Sequence, residues 1–134
     1  MELDEDTLAF AARVFDLARE GDATTLADLI DGGLPVNLTN AAGDTLLLLA
    51  AYHRRAEVVR LLLAAGADVA RVNDRGQTAL AAATFRQDAE VVRLLLAAGA
   101  DPAAGPRSAL ATAEVFGLAQ MGDLLRGESG PRRP

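Results

Sequence analysis

The apolar positions of this chain repeat on two length scales. Locally, Val58, Val59, Leu62 and Leu63 recur at helical spacing, while Glu57, Arg60 and Ala64 take the opposite face. That is the pattern of an amphipathic helix with one buried stripe. Over longer distances, the twelve residues Glu57–Asp68 return unchanged as Glu90–Asp101, 33 residues later. A fixed period of this length marks stacked repeats, in which each unit buries its apolar face only against its neighbours. The pattern predicts helices from about Ala56 to Ala65 and from about Ala89 to Ala98. Gly66 and Gly99 follow directly, at the left-handed position that closes a helix.

The register extends beyond the identical segment. Asn40-Ala-Ala-Gly43-Asp-Thr45 aligns with Asn73-Asp-Arg-Gly76-Gln-Thr78, Leu47 with Leu80, and Ala50 with Ala83. Thr45 and Thr78 are suited to N-cap a first helix in each unit, since their hydroxyls can accept from an otherwise orphaned N–H. Those helices are expected to run to about His53 and Arg86. The connector 67–76 is too polar and turn-rich for helix, and Asn73-Asp-Arg-Gly76 suits a tight hairpin turn. Ala50-Ala51 and Ala82-Ala83 are small enough for neighbouring backbones to approach closely. Looser copies lie upstream (Gly21-Asp22, Leu26, Leu29-Ile30, Gly33, Val36-Asn37) and downstream, where Ser108-Ala-Leu110 matches Thr78-Ala-Leu80 at an offset of 30. This predicts four units at about 5–37, 38–70, 71–103 and 104–126, with divergent ends that must face water. Residues 127–134 cannot continue a helix and are expected to form a disordered tail.

The order Gly-x-Thr-x-Leu-x-x-Ala, followed by Glu-Val-Val-x-Leu-Leu-Leu-x-x-Gly-Ala-Asp, resembles the ankyrin repeat over about residues 10–126. The resemblance implies an all-α fold: a helix-turn-helix solenoid with β-hairpin or loop fingers and a concave groove. It also implies binding of a protein partner at the finger tips and at the ends of the first helices. Two departures stand out. The family's Thr-Pro-Leu-His box reads Thr45-Leu-Leu-Leu48 and Thr78-Ala-Leu-Ala81, so the His that ties neighbouring loops is missing. The usual Gly between the helices is Arg54 and Gln87. Both predict a less rigid array with the same fold.

Composition narrows the function. The chain has 134 residues, 51% apolar but only 4% aromatic, with net charge −6 and pI about 4.7. A general nucleic-acid binder needs a basic face, so this balance argues against one. Charge is uneven: residues 1–44 hold ten acids and two arginines, net −8, and the remainder nine acids and eleven arginines, net +2. The acidic end reads as a solubilising cap. With no cysteine, there is no disulfide or thiolate site. The apolar run Leu46–Tyr52 is far short of the roughly 20 residues that span a bilayer, and no signal peptide follows Met1. A cytoplasmic protein without a membrane partner is expected.

Catalysis is poorly supplied. The single histidine, His53, would need an orienting carboxylate and a nucleophile; of the two serines, Ser108 suits an N-cap and Ser129 lies in the tail. No catalytic residue, metal site or cofactor is expected, and a hydrolase or metal site around His53 is the remote alternative. The resemblance instead points to partner contacts at Asp44, Asp74, Arg75 and Gln77 on the fingers, and Tyr52, His53, Phe85, Arg86 and Phe116 on the first-helix ends. Tyr52 and Phe85 sit one repeat apart, so stacking sets them side by side. They either face the groove or plug the seam between units. Phe116 either continues their row or, with Leu118, seals the last unit. Phe10 and Phe15 are read as core. A dedicated inhibitor or immunity-type regulator of a neighbouring enzyme is the other reading of a chain that is nearly all repeat. The free protein is expected to be a monomer or to self-associate weakly.

Overall fold

The structure, a computed structural model, describes residues 4–127. The expected tail therefore lies, from residue 128 onward, outside the described residues. Eight helices are described: α1 (Glu5–Glu20), α2 (Ala23–Asp31), α3 (Leu46–Tyr52), α4 (Ala56–Ala64), α5 (Ala79–Phe85), α6 (Ala89–Ala97), α7 (Ala109–Val115) and α8 (Ala119–Leu125). They pair in chain order. The first helices α1, α3, α5 and α7 pack in one row and the second helices α2, α4, α6 and α8 in another. This is the all-α helix-turn-helix solenoid that the resemblance implies.

Helix starts follow the capping chemistry. Leu48 N–H donates to Thr45 Oγ1 at 3.0 Å, Ala81 N–H to Thr78 Oγ1 at 3.1 Å, and Ala111 N–H to Ser108 Oγ at 3.1 Å. The second helices end in a left-handed residue, Gly66 at φ 86° and Gly99 at φ 93°. Ala67 and Ala100 N–H then close back onto Leu62 and Leu95 carbonyls, each at 3.0 Å. Both features satisfy helix-end groups that would otherwise lack partners.

One apolar cluster runs from Val14 to Leu125 between the two rows. Its fully buried members include Leu47 and Leu80 from first helices, and Val58, Val59, Leu62, Val91, Val92 and Leu95 from second helices. Ala50, Ala51, Ala83 and Ala109 are completely buried where the first helices meet. Larger side chains there would push the backbones apart.

The first helix departs from expectation. Phe15 is buried at 6% exposure, but Phe10 is 49% exposed. In register, α3 begins at the counterpart of Arg13, whereas α1 begins at Glu5. The first two turns of α1 therefore extend beyond the register of the stack, and Phe10 lies on that overhang.

The turn between the helices of a pair needs a left-handed residue. Gly21 (φ 84°) and Gly117 (φ 65°) supply it in the outer pairs, whereas Arg54 (φ 62°) and Gln87 (φ 56°) adopt it in the central ones. A non-glycine residue in this region is strained by roughly 1–2 kcal/mol. Gln87 is exposed, so little packing is lost on truncation. Gln87→Gly is expected to raise the unfolding free energy by about 1 kcal/mol, measured by urea denaturation. Arg54→Gly should gain less, because Arg54 Nε also pairs with Asp88 Oδ2 at 3.6 Å. An unchanged or lower urea midpoint for Gln87→Gly would contradict the strain argument.

Candidate functional site: a concave groove

Two fingers project between successive first helices, and both are built on an asparagine. Asn40 Oδ1 accepts from the N–H groups of Ala42 and Asp44, each at 3.0 Å. Asn73, one period later, does the same for Arg75 and Gln77 at 3.0 Å each. The turns close through Gly43 N–H to Asn40 O and Gly76 N–H to Asn73 O. Asparagine suits this role because its side chain mimics a backbone turn. The fingers carry one isolated bridge, between Thr39 and Thr45, and no named strand is described.

The second finger is tied edge to edge to the first and to the connector before α7. Asn73 Nδ2 donates to Asp44 Oδ1 at 2.8 Å, Asp74 N–H to Ala42 O at 3.0 Å, and Arg107 N–H to Gly76 O at 3.0 Å. Asp44 is thus only 7% exposed, unlike the open finger-tip contact expected of it. Its carboxylate is occupied by Asn73 and, at 3.5 Å, by Asn40 Nδ2. Asp74 and Arg75 are exposed at the tip, and Gln77 is half-buried behind them.

Between the fingers and the first-helix ends lies a groove of about 660 Å³. Asp44, Arg75, Gln77, Pro106 and Arg107 form its finger wall. Tyr52, His53, Phe85, Val115 and Phe116 form the opposite wall, over a floor of Leu48, Leu49, Ala82, Ala111 and Thr112. The floor drops along the stack. Leu49 of α3 is matched in register by Ala82 of α5, and Leu48 by Ala111 of α7. The step from leucine to alanine leaves space above α5 and α7.

The wall opposite the fingers is an aromatic row. Tyr52 and Phe85 stack with centroids 6.4 Å apart and planes 8° from parallel. Phe116 meets Phe85 edge-on at 5.2 Å. Exposures of 39%, 43% and 58% for Tyr52, Phe85 and Phe116 leave each residue partly open to solvent. Tyr52 and Phe85 therefore bridge the seam and line the groove at once. Leu118, not Phe116, packs on the core at the last pair.

Arginines reinforce this wall from behind. Arg86 Nη1 donates to Tyr52 O at 2.8 Å, with its Cζ 4.9 Å from the Tyr52 ring centroid. Arg55 Nε donates to Arg19 O at 2.7 Å. Each cation thus satisfies a carbonyl at the negative end of the preceding first helix, and Arg86 adds a cation–π contact. His53 lies edge-on to Tyr52 at 5.2 Å. Burial, chiefly, and then the charges of Arg19, Arg55 and Arg86 hold its pKa below the ordinary value. Among the described residues, no group of three His, Cys, Asp or Glu side chains is arranged to hold a metal ion.

Comparison with known proteins fits this geometry. A family model described as ankyrin repeats in three copies matches residues 10–105. The chain belongs to the ankyrin repeat family. An ankyrin repeat protein of Pseudomonas aeruginosa is 52% identical to it over 60 residues, which cover 45% of this chain and 35% of that relative's length. Ankyrin repeats are generally non-catalytic modules for protein–protein interaction. Among the described residues, no helix of this ankyrin array is long and apolar enough to cross a membrane.

Sequence reasoning missed two features of the site. The Asn73–Asp44 tie had a visible signal, since Asn40 and Asn73 recur in register beside Asp44 and Gln77. The backward reach of Arg55 and Arg86 had none, because the two residues occupy different register positions.

His53 reports on the arginine cluster. Its depressed pKa means the folded state binds a proton less readily than the unfolded chain, whose histidine titrates near 6.5. Stability from this group is present above that pH and is lost as pH falls through the depressed value. An NMR titration of the single histidine should give a midpoint below 6.5. Added salt or Arg86→Gln should raise it part of the way, since burial remains. A midpoint at or above the free-histidine value would show the imidazole solvated and outside the arginine field.

Proposed function

We propose that this ankyrin array is a non-catalytic interaction module whose protein partner lies in the concave groove. Tyr52, Phe85, Phe116 and Arg86 supply one wall of contacts, with His53 at their edge; Asp74, Arg75 and Gln77 supply the finger contacts. Asp44 acts through Asn73, by holding the finger in place. The observation that carries this reading is the open aromatic row. The chain has five aromatic residues, and three of them share one wall and stay partly exposed. Contiguous apolar surface kept exposed on a folded protein marks an interaction site. Aromatic and arginine side chains dominate the residues whose truncation most weakens protein complexes.

A catalytic reading around His53 has less support. The charges that act on the imidazole are three arginines, whereas a general base needs an orienting carboxylate.

The test is capture of partners from a lysate of the cells that encode the protein. Wild type is compared with Tyr52→Ala/Phe85→Ala, after circular dichroism confirms that the variant is folded. Losing a central aromatic contact weakens a complex by about 2 kcal/mol or more, roughly 30-fold. The specific band should therefore disappear with the folded variant. A band of undiminished intensity would put the binding face elsewhere. No band at any salt concentration would rule out a stable complex.

A further inference from the structure

The groove differs in charge from the chain that carries it. The whole sequence has net charge −6, yet the charged side chains lining the groove are Arg75, Arg107 and Asp44, with His53 beside them. Asp44 is buried and its carboxylate accepts from Asn73 and Asn40. Arg75 and Arg107 are exposed and their guanidinium groups have no ion pair or hydrogen bond among the described residues. Arg19, Arg54, Arg60 and Arg71 pair with Asp16, Asp88, Glu90 and Asp68; Arg93 on α6 is likewise without an ion pair or hydrogen bond among the described residues but lies outside the groove. Arg86 adds a further positive charge at the aromatic wall. Asp74, at the finger tip beside Arg75, is not among the lining residues.

Shape and charge coincide at one place. Arg75 lies on the second finger and Arg107 on the connector before α7, joined by the Arg107 N–H bond to Gly76 O, and both line the groove together with Ala82 and Ala111. An apolar hollow thus lies between an aromatic wall and two guanidinium groups without partners. Guanidinium groups bind carboxylates in paired, directional hydrogen bonds.

We propose that the groove receives an acidic segment of a partner protein. The segment seats one aromatic or branched aliphatic side chain over Ala82 and Ala111, and an adjacent carboxylate bonds to Arg75 and Arg107. The inference rests on the groove being the binding face, and it adds the chemistry of the occupant. The charge distribution also sets the segment's position. Residues 1–44 carry net charge −8 and repel an acidic chain from the α1 end, so the segment lies over α5 and α7. A second copy of this chain is the rival occupant, because the overhanging turns of α1 combine exposed Leu8 and Phe10 with Asp4, Glu5 and Asp6.

The test is selection from a random peptide library on the immobilised full chain, followed by fluorescence anisotropy with the enriched peptides. Enriched sequences should place Asp or Glu within a few positions of Phe, Trp, Leu or Ile. Arg75→Gln/Arg107→Gln should weaken their binding about tenfold, added salt should weaken it, and Arg93→Gln on α6 should leave it unchanged. Bound peptide should also raise the His53 midpoint, through the added negative charge. Basic or uncharged peptides that still depend on Phe85 would overturn the acidic occupant and leave the groove reading intact. Enriched peptides indifferent to Phe85→Ala would overturn both. Concentration-dependent dimers in sedimentation equilibrium, abolished by Arg75→Gln/Arg107→Gln and by Phe10→Asp, would assign the groove to a second copy and overturn the partner-protein occupant.

Discussion

The stack rests on close approach of its first helices, and alanine makes that approach available. Ala50, Ala51, Ala83 and Ala109, all on first helices, are completely buried. Close-packed interiors tolerate extra volume poorly, so these positions hold the spacing of the whole array. Small residues on the groove side have a second consequence. At Ala82 and Ala111 they lower the floor beneath the fingers, whereas α3 keeps Leu48 and Leu49 at the corresponding places. Alanine thus serves the packing at one set of positions and the hollow at another.

The fingers meet a different constraint. Their turns place polar groups inside the stack, and buried polar groups are stable only when paired. Asn73 meets that demand through four hydrogen bonds, two accepted from backbone N–H groups and two donated to Asp44 and Gln77. No buried side-chain polar atom among the described residues lacks a partner. The tie between fingers that the departed His would make in the family pattern is here made by Asn73 and Asp44. With Asp44 turned inward, the finger wall presents arginine to the groove, and a local positive surface arises on an acidic protein.

Much of this was legible in the chain itself. The 33-residue period, the capping Thr45, Thr78 and Ser108, and the Gly66 and Gly99 stops define the helix pairs because each is a local signal with a local physical cause. Tyr52 and Phe85 fall side by side because stacking converts one repeat step into one lateral step. Other features depend on what surrounds a residue. Phe10 reads as core from its helical spacing and is exposed because α1 overhangs the stack. Asp44 reads as a finger-tip acid and is buried because Asn73 from the next finger reaches it. The depth of the groove emerges only when the alanines of α5 and α7 are set beside the leucines of α3.

The central claim, that the hollow over α5 and α7 is the binding surface, is tested most directly by filling it. Ala82→Leu/Ala111→Leu gives these positions the leucines that α3 already carries. Partner capture by this protein should be compared with wild type, with melting followed on the same samples. The account predicts that the filled protein folds and melts like wild type but captures no partner. Capture at the wild-type level by the folded, filled protein would contradict it.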